Sequence, residues 1–458
     1  MSFRTGIVSL LVMASIVASS QTFAGDRLYQ CDDLARRARL SALNIAVYQG
    51  DDGWFFRSGD LNHFYMISPD ALRFLSRLRD ALAFRGTKLV LMPLPPKSIL
   101  APEHAVAATT DGDVLFDPAF ARSEFEDLVR TFKSNGQVVA DVLQTIGTAA
   151  DMQTGDYYFA RDVHWRPKLA QISAAAVQTA LVDAAGPSIL GDKTFATRKT
   201  GEGLNESNTN TTLNQLCAEQ IPGESIDFYV TEEADQSLDS FLDDTAAPPP
   251  VNVVGTSFTD EANPYNFAGF LREDLRNDVA TYSMSGGGVD TALYKWANDG
   301  LATTSGAKAL VWELPFPERL EEIAPQLERE IIPAVAGLCT GEDQIRSMPY
   351  ELGPQGSATL ALDASTRVSG DGYYIAATLS DPTLRSAAVT FDYRDGRQDV
   401  LPIIRPDRVA SAPNVFGELT SMVSADLESV TLENRTATSV SGQLSLCRYP
   451  AGLLSTSN

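Results

Sequence analysis

Histidine is scarce in this chain of 458 residues: His63, His104 and His164 are the full set. A histidine-rich metal centre is therefore not expected. The four cysteines, Cys31, Cys217, Cys339 and Cys447, have none of the close Cys or Cys/His spacing of a zinc site. The sequence calls for neither metal nor cofactor. Positive charge is also in deficit, with 36 Lys and Arg against 59 Asp and Glu and a net charge of -23. That balance disfavours nucleic acid and anionic membrane surfaces as partners. No segment approaches the roughly 20 uninterrupted apolar residues that a membrane-crossing helix needs. Internal repeats and long low-complexity tracts are missing too, which argues against a solenoid.

What is present begins at the amino terminus. A single Arg4, an apolar run from Gly6 to Ala18 and the small-residue pattern Thr22-Phe23-Ala24 read as a cleavable secretory signal over residues 1–24. The mature protein is then expected in the periplasm, with no transmembrane segment. In an oxidising compartment an even number of cysteines implies two disulfides, and four cysteines allow three pairings. Cys31 with Cys217 and Cys339 with Cys447 would close one loop in each of two domains. At least two domains are expected on length alone.

Strand and helix signals alternate through the first two thirds of the chain. Ser68-Pro69 is a favoured helix start, and Leu72, Leu75, Leu78 and Leu82 repeat at helical spacing until Gly86. Lys88 to Leu94 is a nearly continuous apolar run, and the same pattern recurs at Val251–Val254 and Ala309–Leu314, as for strands buried on both faces. Helices are expected near Ser123–Lys133, Pro167–Ala185 and Asn266–Leu275, giving an α/β domain with a parallel sheet flanked by helices. Gly201–Asn214 and Asp235–Pro250, rich in small polar or acidic residues, read as exposed loops. A boundary follows near Gly337–Asp343. Beyond it, Ala358–Leu362, Gly372–Leu379, Ala387–Asp392, Ser429–Leu432 and Gly442–Cys447 alternate apolar with polar residues, as in a β-sandwich.

Two clusters carry chemistry. The strand Val251–Val254 runs into Gly255-Thr256-Ser257-Phe258, which projects a serine hydroxyl from the carboxyl edge of the sheet. Alone, such a serine is more often a turn or cap. In Arg161-Asp162-Val163-His164-Trp165-Arg166-Pro167 an extended segment would turn Asp162 and His164 to the same side, so that the carboxylate holds Nδ1 and leaves Nε2 free as a base. The bland alternative is a structural histidine with a neighbouring carboxylate. Neither His63 nor His104 has a carboxylate at this spacing.

Five motifs taken together are more specific. Gly53-Trp54-Phe55-Phe56-Arg57, the run from Leu89 to Lys97 (LVLMPLPPK), Arg161–Pro167, Gly255–Phe258 and Asn266–Leu271 (NFAGFL) occur in the order seen in the AlgX/AlgJ-like, SGNH-hydrolase-like alginate O-acetyltransferases, which the mature chain resembles over essentially its whole length. The four cysteines also fall in corresponding places. The resemblance implies an SGNH-hydrolase-like catalytic domain over residues 25–338 and a carbohydrate-binding β-sandwich over 339–458. Carried over by position, it makes Ser257 the nucleophile, His164 the base and Asp162 its orienting acid, with Asn266 as a candidate oxyanion donor or a helix cap. Asp162 and His164 are separated by one residue rather than two and precede the serine, which departs from the common SGNH order and fits this branch.

The implied partners are an alginate-like anionic polysaccharide, an acetyl donor and a periplasmic export or modification complex. An acidic polymer needs a local basic groove, because the average field repels it. Arg385, Tyr393, Arg394, Arg397, Arg405 and Arg408 are the candidates for such a groove. Two rival functions are a deacetylating esterase with the same triad and a noncatalytic scaffold of an export complex.

Overall fold

A computed structural model describes residues 28–105, 116–148, 156–234 and 247–454. The expected signal segment and most of the Asp235–Pro250 loop lie outside the described residues.

Five parallel strands form the central sheet, in the order Val138–Val139, Lys88–Pro93, Ala309–Leu314, Val251–Val254 and Val279–Thr281. Successive side chains on a strand face opposite ways, so each strand feeds two cores. Leu89 and Leu91, with Leu310 and Trp312, pack under the helices Pro69–Phe84, Pro118–Ser134, Thr291–Asn298 and Leu320–Ala336. Val90 and Met92, with Val251, Val253 and Val311, pack under Pro167–Ala185 and Phe267–Leu275. The uninterrupted apolar runs thus reflect burial on both faces. Helix starts follow local chemistry. Ser68 Oγ accepts the Ala71 N–H at 3.2 Å, Asp117 accepts those of Ala119 and Phe120, and proline occupies the first turn of both helices.

Two four-stranded antiparallel sheets follow. One is ordered Gln344–Leu352, Val440–Arg448, Tyr373–Thr378, Asn414–Glu418, and the other Ser357–Ala361, Leu427–Asn434, Ser386–Tyr393, Gln398–Ile404. They enclose a core that includes Ile375, Val389, Phe391 and Leu446. The first sheet is covered on its outer face too: Tyr374, Ala376, Phe416 and Cys447 join the core beneath the helices Pro69–Phe84 and Leu320–Ala336. Disulfides join Cys31 to Cys217 and Cys339 to Cys447. Among the described residues, no helix is long and apolar enough to cross a membrane.

One expectation is corrected. Gly201–Asn214 is not a loop: it contains the end of the strand Phe195–Asn205, paired antiparallel with Glu224–Glu233, and most of the helix Asn208–Leu216, capped by Ser207. The two-stranded ribbon leaves much of its length exposed, so its strands need no apolar face and their composition resembles that of a loop.

The sandwich is fastened to the helices by a buried ionic cluster. Arg77 bonds Glu418 of the sandwich and also Glu328, to which it donates at 2.7 Å, while Arg73 reaches Glu328 at 3.0 Å. Arg329 pairs with Asp399 and donates to the Glu418 carbonyl. Removing Glu418 takes one of the two carboxylates from Arg77, whose side chain is poorly solvated. Glu418→Ala is therefore expected to destabilise the protein by about 3–5 kcal/mol, whereas Arg77→Met with Glu418→Leu costs less than the single change. Urea unfolding midpoints of the two variants measure this, and equal losses would contradict it.

Candidate active site

Ser257 stands just beyond the carboxyl end of the strand Val251–Val254, in a turn where Gly255 is required. A Cβ on Gly255 would collide with Glu313 Oε2 and Thr259 Oγ1. Below the turn, the Glu313 carboxylate accepts the Thr256 N–H at 2.6 Å. Beside it, Asn263 Nδ2 donates to the Ser257 carbonyl at 2.8 Å and to Ser285 Oγ at 3.0 Å.

The partner segment reaches the serine from the other side of the cavity. Tyr158 and Trp165 form an antiparallel bridge, and the Phe159 N–H donates to the His164 carbonyl, closing a tight turn that carries Asp162 and His164. This turn, rather than the expected extended segment, brings the two side chains together. Pro167 then starts a 19-residue helix whose buried face anchors the segment. His164 Nδ1 donates to Asp162 Oδ2 at 2.8 Å, and the Ser257 hydroxyl donates to His164 Nε2 at 2.7 Å. Asp162 also accepts the Val163 N–H at 2.8 Å and Asn205 Nδ2 at 3.2 Å. Burial alone would push its carboxyl up, but the charge and hydrogen bond of His164, with the Asn205 and Val163 bonds, outweigh it and hold Asp162 well below the usual carboxylate range. The imidazole lies against Phe258 and is stacked on Tyr265, with ring centroids 5.1 and 5.3 Å away.

Lys97 supports the turn from behind. Its buried ammonium donates to the carbonyls of Phe55, Ala160 and Asp162 at 2.6, 2.8 and 3.0 Å and lies over the rings of Trp54 and Phe56. Burial pushes it down to about 8, against the pull of Asp60, Glu224 and Asp162.

The three chemical groups open into a cavity of about 700 Å³ whose walls include Arg57, Asn208, Thr209, Tyr265 and Arg408. Arg408 reaches over Gly286 from the sandwich and has no ion-pair partner among the described residues. Arg57 donates to Thr209 Oγ1 at 2.9 Å, and its buried Nε has no partner among them.

The other expected arginines do not join this cavity. Arg385, Arg405 and Arg408 sit at one end of the hairpin Ser386–Tyr393/Gln398–Ile404, with Tyr393, Arg394 and Arg397 at the other, about 24 Å away at ~3.4 Å per residue. Tyr393 is 1 % exposed and Arg405 3 % exposed, the latter bonded to the carbonyls of Pro382 and Ala412. Arg397 is paired with Asp395, Arg385 with Asp407, and Arg394 donates to the Asp363 carbonyl. Of the expected arginines only Arg408 lines this cavity, where Arg57 joins it. Asn266 stands at the N-cap position of the helix Phe267–Leu275. It has φ 56 and makes no side-chain cap bond, and its Nδ2 donates to Thr231 Oγ1 at 3.1 Å, outside the residues lining the cavity.

Residues 47–316 match the family model described as SGNH hydrolase-like domain, acetyltransferase AlgX. The chain belongs to this family. It is 28% identical over 359 residues to the alginate biosynthesis protein AlgX of Pseudomonas aeruginosa, covering 78% of this chain and 73% of that one. It is 29% identical over 289 residues to the probable alginate O-acetylase AlgJ of Pseudomonas syringae pv. tomato, covering 60% of this chain and 68% of the other. The solved structure of Pseudomonas aeruginosa AlgX superposes with a TM-score of 0.77 at 25% identity, covering 92% of this chain and 100% of that one. The AlgX-family likeness in three dimensions thus includes the sandwich, which lies beyond the residues matched by the family model.

Sequence reasoning missed Asn205, Asn263, Glu313 and Lys97. Only Lys97, which closes an apolar run, and Glu313, set inside an otherwise apolar strand, gave a signal: a charged residue where the pattern is apolar. Gly255→Ala is expected to fold with a displaced serine turn and to lose about 100-fold in kcat, the scale of a misplacement near 1 Å. Steady-state hydrolysis of a small acetyl ester measures it, and a wild-type kcat would show that the turn does not need glycine.

Proposed function

We propose that this chain is a periplasmic O-acetyltransferase that acetylates alginate, with Ser257, His164 and Asp162 as its catalytic triad. The observation that carries this reading is the continuous hydrogen-bonded line from Asp162 through His164 to Ser257, in a chain of the AlgX family. The alginate substrate is supported by relatives named for alginate biosynthesis and alginate O-acetylation. Residues 25–338 would form the catalytic domain and 339–458 the carbohydrate-binding one. Two disulfides fit the oxidising periplasm.

In the first half-reaction the Ser257 proton passes to His164 Nε2 as Oγ attacks the acetyl carbonyl carbon of the donor. The tetrahedral oxyanion collapses, the donor's leaving oxygen takes the proton from His164, and acetyl-Ser257 remains. In the second, a mannuronate hydroxyl gives its proton to His164 and attacks the acetyl carbon. Ser257 Oγ departs with that proton, and the acetyl group stays on the sugar. Asp162 keeps the imidazole in the required tautomer and stabilises its charged form. The Ser257 backbone N–H, at the mouth of the turn, is the proposed oxyanion donor in place of Asn266.

Arg57 and Arg408 would supply the local positive field that a chain of net charge -23 needs in order to hold a uronate. A guanidinium from each domain on one cavity favours an acceptor gripped by both domains over water, and hence transfer over hydrolysis. Incubation of the purified protein with an acetyl ester and defined oligomannuronates, followed by mass analysis, tests the reading. Acetylated oligomers are expected, and Ser257→Ala is expected to form almost none. Arg408→Ala should raise the acceptor KM about tenfold and lessen its dependence on added salt. Deacetylated donor without acetylated oligomer would favour an esterase, and wild-type turnover by Ser257→Ala would discard the triad.

A further inference from the structure

Glu313 is the last residue but one of the strand Ala309–Leu314, beside the strand that leads into Ser257, and is 0 % exposed. Its Oε2 accepts the Thr256 N–H at 2.6 Å and the Thr259 hydroxyl at 3.0 Å, and the Thr256 hydroxyl lies 3.1 and 3.2 Å from its two oxygens. These contacts come from the residue before Ser257 and the second residue after it. The Thr259 hydroxyl is also bonded to Ser283 Oγ at 2.7 Å. No Arg or Lys pairs with Glu313 among the described residues.

A carboxylate without a contacting cation is an expensive way to hold a turn, because burial disfavours its charge and neutral acceptors could bond the same donors. Burial does push Glu313 up to about 7, against the bonds from Thr256 and Thr259 and the attraction of His164. Glu313 feels the charge of His164, and the buried Tyr158 phenol feels that of Glu313. The Glu313 strand lies beside the one that leads into Ser257, so its negative charge sits next to the turn whose serine the imidazole deprotonates.

We propose that Glu313 is a positioning residue for acetyl transfer: its carboxylate clamps the Ser257 turn through Thr256 and Thr259 and stabilises the His164 imidazolium as it forms. The inference rests on the triad reading above. It implies that stability and rate place opposite demands on this residue. A carboxyl whose folded pKa stands above its unfolded value loses stability as pH rises through the window from about 4.5 to about 7. At pH 8 the charged form is thus a liability for folding and an asset for the reaction.

The test compares wild type with Glu313→Gln and Glu313→Asp by thermal unfolding at pH 8 and by the pH dependence of p-nitrophenyl acetate turnover. The Gln variant keeps the shape without the charge. It is expected to melt at or above the wild-type temperature, with kcat lowered tenfold or more and KM changed less than threefold. Its acid limb should be shallower than the wild-type limb, because the Glu313 ionisation is gone from it. The Asp variant keeps the charge but withdraws it by one methylene from Thr256, and is expected to retain the steep limb at a reduced kcat. Wild-type kcat in both variants, or a loss in the Gln variant that only tracks its unfolded fraction, would overturn the proposal. Ser257→Ala, run in parallel, separates the two readings: its inactivity leaves the triad standing whatever Glu313 does, and its wild-type turnover would overturn both.

Discussion

The 2.7 Å contact between Ser257 and His164 joins side chains 93 residues apart in sequence, and much of the surrounding structure is spent on holding it. Neither residue sits on regular secondary structure. Ser257 occupies a turn after a strand, and His164 a turn before a helix, so each needs support that the backbone ladder does not supply. On the serine side that support is a buried carboxylate with two threonines, and on the histidine side it is a buried ammonium with three carbonyl acceptors. Each buried charge costs desolvation, and the stability to carry that cost comes from a sheet with apolar cores on both faces.

The two domains share a similar constraint. Sheets of sandwiches often leave their outer faces to water, but here the sheet containing Tyr373–Thr378 is covered outside by the helices Pro69–Phe84 and Leu320–Ala336. The ionic cluster of Arg73, Arg77, Glu328 and Glu418 sits in this junction and fixes how the sandwich is oriented. That orientation lets Arg408 reach over Gly286 into the cavity that holds Ser257. The domain junction is thus part of how the site is built.

Much of the α/β layer was legible in the sequence because its central strands are largely apolar and the helix Pro69–Phe84 begins with Ser-Pro, whereas the helix expected at Ser123–Lys133 starts earlier, at Pro118. The strand Val251–Val254, the strand Ala309–Leu314 and the helix Pro167–Ala185 have the bounds their sequences suggest. Three sandwich strands, Gln344–Leu352, Gln398–Ile404 and Asn414–Glu418, escaped notice, since Pro349, Pro402 and Gly417 interrupt their alternation. The ribbon Phe195–Asn205 was hidden by its exposure. Nearness in sequence misled for the arginines: Arg394 and Arg408 are 14 residues apart, yet a hairpin carries them to opposite ends of the sandwich. Asn205 and Glu313 could not be found from spacing, because their link to the triad exists only after the sheet and ribbon have formed.

Under the proposed function the acetyl group passes through Ser257. Rapid-quench peptide mass mapping with an acetyl ester, followed by a chase with oligomannuronate, tests it most directly. Acetyl should appear on the peptide containing Ser257 before product forms, then leave it at the rate at which the oligomer gains acetyl. An oligomer that becomes acetylated while Ser257 stays unmodified throughout would contradict the account.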